Sequence, residues 1–373
     1  MRMKVVSLKT VVALAGILTV FPSTFSNSAS AQSTGGFVYV MTNEPAGNQI
    51  VQYSRSDNGS LKELRRASTG GTGGTANGVG SLDPLGSQDS LVLSGDGSRL
   101  LAVNAGSNEV SALASGSQGL TLLNKVASGG TFPNSLALYG DLVYVLNAHG
   151  TPNVTGFRLT SAGLAAIPNA TFALPGGTAA AAHDIRFSPD GTRLLVSEAG
   201  TNQIDIFELD GAGLVAGVTT QAAAGRGAFG IRFGRAGVLV NAEAGSNSVS
   251  SYELTANDTL SVISAAVPDT QAASCWISVT RDGKFAFVSN TGSGTLSAFQ
   301  VAGNGTVDLE SAVDASIPNG HPIDSALASD SAFFYAIDTN AGRIAEFQIL
   351  GASLKPLGFV TGLPATTQGI AAQ

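Results

Sequence analysis

The chain has one cysteine, Cys275, in 373 residues, so no intrachain disulfide can form and the fold must hold by its core. Charge is scarce too: 12% of residues are Asp, Glu, Lys or Arg, and only three are histidine. The formal net charge is −7, and it becomes −10 if residues 1–31 are removed, since that segment carries three of the 19 basic residues and no acidic one. A basic nucleic-acid footprint is therefore absent, and an acidic surface is not drawn to anionic membranes. Nowhere is there a run of about 20 apolar residues, the length needed to cross a bilayer as a helix. No zinc spacing such as H-x-x-E-H occurs, and the Gly/Thr-rich stretch "TGGTGGTANGVGSLDPLGS", residues 69–87, lacks the G-K-[ST] ending of a phosphate-binding loop. We expect that stretch to be a mobile surface loop.

What is present begins with Arg2, Lys4 and Lys9, an apolar stretch over 11–21, and a polar run ending "ASAQ" with small Ala29 and Ala31. This pattern predicts a cleavable signal peptide over 1–31 and a secreted or periplasmic protein from 32 to 373. The 47 glycines, with abundant Val, Leu, Ala, Ser and Thr, suit short strands joined by tight turns.

The strongest signal is an internal repeat of roughly 40–50 residues, the period of propellers and solenoids. "SQDSLVLSGDGSRLLAVNAGSNEVSAL" from Ser87 recurs as "AHDIRFSPDGTRLLVSEAGTNQIDIF" from Ala182, "AFGIRFGRAGVLVNAEAGSNSVSSY" from Ala228 and "SCWISVTRDGKFAFVSNTGSGTLSAF" from Ser274. Further copies start at Phe132 and His321, and a half-copy at Phe37. Each unit reads as a strand, a turn, a second strand, a Gly/Asn/Ser turn, a third strand and usually a fourth. The pairs Asp96-Gly97, Asp190-Gly191 and Asp282-Gly283 predict type I′ hairpin turns. Four antiparallel strands per unit and seven units predict an all-β, seven-bladed β-propeller. The first unit lacks its opening strand, and Gly369–Ala372 has no unit of its own. We expect the two to pair and close the ring with strands from both termini, removing two free edges.

The blade motifs "FAFVSNTGSG", "VYVLNAHG" and "SPDGTRLLVSEAG" resemble the Y-V-T-N-like repeats of the β-propeller lactonase family, over nearly the whole of residues 32–373. That family includes 6-phosphogluconolactonases and 3-carboxymuconate cyclases. The resemblance implies a lactonase-like enzyme that works without a cofactor or metal on a small lactone or sugar acid, as a monomer. Two family patterns are altered. The H-P-H motif is "AAHD", keeping His183 with Ala181 in place of the first His, and G-P-R-H is "GAFG", although the following Glu matches Glu243. These losses count against anionic phosphogluconate and carboxymuconate substrates, and fold alone does not fix chemistry.

In antiparallel blades, the start of strand one and the end of strand two share a rim. The strand-two ends are Asn43, Asn104, Asn147, Glu198, Glu243, Asn290 and Asp338; short polar residues repeated in this way read as turn formers. Glu198 and Glu243 break the repeat on adjacent blades. They are catalytic candidates with His183, since opening a lactone needs a base for water and an acid for the leaving alkoxide. Arg186 and Arg232, at equivalent sites in two "IRF" strands, would bind substrate or an oxyanion, or pair with those glutamates. His149, His321 and Trp276 are further substrate-binding candidates on the rim, or loop caps and core. Two other functions fit the same face: cycloisomerisation of a muconate-type acid, and non-catalytic binding of a partner. A divalent cation held by rim oxygens is a possible alternative to metal-free chemistry.

Overall fold

Blade four shows how the repeat becomes structure. Its strands run Ala182–Phe187, Arg193–Glu198, Gln203–Leu209 and Val215–Ala222, each antiparallel to the one before. The first hairpin is closed by Gly191 N–H donating to Ser188 O (2.9 Å), while the Ser188 hydroxyl donates to Asp190 Oδ1 (2.6 Å). Only the glycine has positive φ (72°), as at Gly97 (71°) and Gly283 (68°). The Asp-Gly pairs therefore close wider turns than the expected two-residue type I′. Asp precedes a left-handed glycine and caps the turn with its carboxylate, a geometry that only the second residue needs glycine for.

In the computed structural model, which describes residues 34–76, 81–116 and 118–373 together with 1 and 3, residues 33–373 form one compact unit of seven four-stranded sheets. This is the expected seven-bladed propeller. Apart from residues 1 and 3, the signal peptide expected over 1–31 lies outside the described residues.

The ring closes as expected, with a slightly shorter strand. Ile370–Ala372 pairs antiparallel with Thr34–Met41, matching Val38 to Ala372, Tyr39 to Ala371 and Val40 to Ile370. Gly369 stands just before it, and its carbonyl accepts from Met41 N–H (2.9 Å). Arg55, with only 5% of its side chain exposed, ties Gly35 O and Gln373 O and pairs with Asp330. Between blades the second and third strands bury their side chains against the next sheet. At the closing seam Val40, Val51, Ile323, Tyr335 and Ile337 form one apolar cluster. The outermost strands are mostly exposed, and that of blade one, Leu61–Ser68, carries Lys62, Glu63, Arg65 and Arg66, charges that discourage edge-to-edge pairing.

Candidate functional site

The seven strand-two ends do share one rim, and all seven are fully buried. Most reach across to a neighbouring rim loop, whereas Asn290 bonds Thr295 and Ser297 of its own blade. Asn43 takes a hydrogen bond from Gly74 N–H and returns one to Gly74 O; Asn147 donates to Ser128 O; Asp338 accepts from His321 N–H and Arg343. Glu243 accepts from Gly225 N–H, Ser248 Oγ and Ser250 Oγ, each at 2.7 Å. Glu198 accepts from Gly176 N–H (3.3 Å) and Thr201 Oγ1 (2.5 Å). A Cβ on Gly225 or Gly176 would lie 2.0 Å from the facing carboxylate oxygen, so these glycines make room for the latch. Both glutamates are thus committed to holding loops, with no surface toward solvent.

Glu198 has a second acidic neighbour. Asp205 lies where three other blades carry a serine (Ser111, Ser250 and Ser297), and burial, with the hydrogen bond and charge of Glu198, raises it to about 8 from an ordinary 3.8. The folded state therefore keeps a proton that the unfolded chain releases above pH 4. Stability contributed by that proton is complete below about pH 4 and declines by ~1.4 kcal/mol per pH unit until about pH 8. Asp205→Asn should remove this slope. Denaturant unfolding of both proteins from pH 5 to 9 checks it, and parallel pH profiles would refute the shared proton.

The other rim candidates are dispersed. His149 stacks on Phe132 (4.2 Å), and His321 Nδ1 bonds Thr291 O (3.0 Å). His183 stacks on Phe229 (4.2 Å), bonds Gly86 O through Nδ1, and is pushed by burial down to about 4, so it stays neutral at pH 7. Trp276 is core: its edge meets Phe229 (4.9 Å) and its Nε1 donates to Ser87 O (2.8 Å). Burial pushes the Cys275 thiol up, which rules against a ready thiolate.

The contacts of His183 and Trp276 lead to a feature outside the repeat. Residues 85–89 cross the channel and plug it. Gln88 N–H donates to His183 O, and the Gln88 side chain bonds Ile277 O (3.0 Å) and accepts from Ile277 N–H (2.9 Å). Ser87 Oγ donates to Asn134 O, and Gln368 bonds both Leu85 N–H and Ser87 O. Leu85, Ser87 and Gln88 are at most 1% exposed. The end of the stretch expected to be a mobile loop is a strut joined to blades one, three, four and six.

Under the strut lies a cavity of about 1030 Å³, which opens on the opposite rim, where the first strands end. Asp89 hangs into it at the end of the strut, in a left-handed conformation (φ 59°) that is uncommon outside glycine. Its carboxylate bonds Arg186 and accepts from Arg232 (2.8 Å). Arg232 also reaches Asp184 (3.2 Å), which accepts from Ile231 N–H (2.8 Å). The arginines face the channel because Asp184 and Arg186, like Gly230 and Arg232, are two residues apart on an inner strand and so share a side. Their partners are Asp89 and Asp184, not Glu198 and Glu243. Arg186 remains 30% exposed and Arg232 15%. Burial raises Asp184 and Asp324 to about 7 against the pull of Arg232. The cavity's inner end thus carries two guanidiniums and the Asp89 carboxylate, while Asp184 and Asp324 are buried outside its lining. Among the described residues, no group of three or more His, Cys, Asp or Glu is arranged to hold a metal.

With this geometry in view, the sequence profile described as "Lactonase, 7-bladed beta-propeller" matches residues 74–360. The chain belongs to that family. This lactonase-family propeller is similar in fold to a periplasmic gluconolactonase from Pseudomonas aeruginosa (18% identity, TM-score 0.69, covering 89% of this chain and 98% of that one). It is equally similar to a provisional 6-phosphogluconolactonase of Bacteroides fragilis (19%, TM-score 0.70, 92% and 99%) and a Lactobacillus plantarum protein (20%, TM-score 0.72, 91% and 99%). No curated protein gives a significant match. The lactonase-family propeller has no helix among its described residues long and apolar enough to cross a membrane.

The repeat marks Arg186 and Arg232 as a pair, but it does not mark Asp184 or the carboxylate of Asp89 as their partners. Two arginines at matching inner positions demand counter-charge, and Asp184, two residues from Arg186, was the available signal.

Proposed function

We propose that this propeller is an exported hydrolase that opens a small lactone in the central cavity, at Arg186 and Arg232 and away from the rim of the histidine and glutamate candidates. Membership of the lactonase family supports the reaction class. The observation that carries the location is Asp89 held between Arg186 and Arg232 at the inner end of the cavity. A lactone carbonyl seated against the guanidiniums would have its developing oxyanion stabilised by fixed positive charge. Asp89 takes a proton from the attacking water as the new C–O bond forms. Collapse of the tetrahedral adduct breaks the ring C–O bond, and the same proton passes to the leaving alkoxide. Residues 1–31 support export, and no cofactor is required by these steps.

Acid release from five- and six-membered sugar and aliphatic lactones, followed in a pH-stat with the mature protein, tests the proposal. Release above the spontaneous rate with at least one lactone is expected. No release from any would favour a non-catalytic binding propeller, and loss of diene absorbance from a muconate-type acid would favour the cycloisomerase.

A further inference from the structure

The cavity is large, about 1030 Å³, and its polar and apolar groups lie on different stretches of wall. Past the arginines its wall is aliphatic: Val92, Leu138, Ala326, Ala371 and Ala372 line it, with Tyr139, 44% exposed, at the mouth. These occupy the positions that Arg186 and Arg232 occupy in blades four and five, or follow them along the strands. One stretch of the wall is thus cationic and another hydrocarbon, while Ser94, Asp96, Ser98, Arg99 and Ser161 bring polar groups to the remainder of the lining.

Hydroxyls are present, but most of them are engaged with the wall itself. Ser94 and Ser98 both bond Asp96 (2.6 and 2.8 Å), Ser188 bonds Asp190 (2.6 Å), and Ser278 and Ser325 bond each other (3.0 Å). A polyhydroxylated sugar lactone brings several hydroxyls that lose water on entering. Each left without a partner costs affinity, and a pocket built for such a ligand answers it with free donors and acceptors. This wall answers instead with methyl and methylene groups, which gain from apolar contact alone.

We infer that the channel takes an amphipathic ligand: a carboxylate or lactone head on Arg186 and Arg232, and an unbranched aliphatic chain along the Val92 and Leu138 side. This rests on the channel being the binding site, as the hydrolytic reading does, and it names the substrate class as alkyl-substituted lactones and their hydroxy acids in preference to sugar lactones. The 1030 Å³ volume lies at the upper end for small-molecule pockets, enough for a medium-length chain.

The test uses the unmodified protein. Calorimetric titration with butanoate, hexanoate and octanoate, against gluconate, reads the wall directly. Affinity should rise by about fourfold for each added CH₂, and gluconate should bind more weakly than hexanoate. Leu138→Asn should lower octanoate affinity by about tenfold and flatten the chain-length series. Equal or tighter binding of gluconate, a flat series in the unmodified protein, or no binding of any acid would overturn the inference. In parallel, δ-decalactone and glucono-δ-lactone are compared in the pH-stat. Chain-length-dependent binding without opening of either lactone upholds this inference while removing the hydrolytic proposal. Opening that favours glucono-δ-lactone, with a flat binding series, does the reverse.

Discussion

Arg232→Met is expected to destabilise the propeller by ~3–5 kcal/mol at pH 7 and to abolish lactone opening. The guanidinium holds Asp89 at 2.8 Å and Asp184 at 3.2 Å, and Asp184 has no exposed surface. Removing one partner of a buried ion pair leaves its counter-charges uncompensated, which costs more than the pair contributes. Asp184 already sits at about 7 because burial opposes its charge, and without Arg232 it rises further. A carboxyl raised in the folded state gives stability that is present at low pH and lost as pH rises through the folded value. The variant should therefore regain much of its loss at pH 5, and Asp184→Asn in the same chain should restore stability at pH 7 without restoring activity. Urea unfolding at the two pH values decides this. A single variant within 1 kcal/mol of the parent at pH 7, or no recovery from the second substitution, would show that the cluster is not held by these charges.

Deleting residues 369–373 should have an effect of similar size through a different link. Ile370, 5% exposed, contributes about 2–3 kcal/mol of apolar burial. The bonds Met41 N–H to Gly369 O and Gln373 N–H to Phe37 O add about 1 kcal/mol each. Losing them also bares the edge of Thr34–Met41, with its run Phe37, Val38, Tyr39, Val40 and Met41. We expect a lowered unfolding midpoint and oligomers or aggregates in size-exclusion chromatography. A truncated protein that stays monomeric with an unchanged midpoint would mean that the closing strand is dispensable.

The blades were legible because each is a local object: three short strands and two turns fall within about 30 residues, and seven copies confirm one another. Ring closure was legible as arithmetic, since one unit lacked a strand and the last segment had no unit. The strut at 85–89 was not, because its contacts join residues far apart in sequence, Gln88 to Ile277 and Ser87 to Gln368, and no periodic pattern records them. Glu198 and Glu243 show a subtler limit. Their departure from Asn is visible in the repeat, and what each touches lies beyond it: Asp205 beside the first, and Ser248 and Ser250 beside the second. Residue type announced a difference, and only packing told a latch from a catalyst. Arg186 and Arg232 were visible as a pair, but the partner they share, Asp89, reaches them through a strut whose cross-channel contacts the repeat does not record.

The central claim is that chemistry occurs at the inner end of the cavity under Asp89, and not on the rim of the histidines. The measurement that separates the two is the initial rate of acid release, on whichever lactone is opened fastest, by Arg186→Met and by His149→Ala and His321→Ala. The account predicts a rate at or near background for Arg186→Met, with circular dichroism unchanged, and rates within about twofold of the parent for both histidine variants. Full activity in Arg186→Met, or its loss in either rim variant, would contradict it.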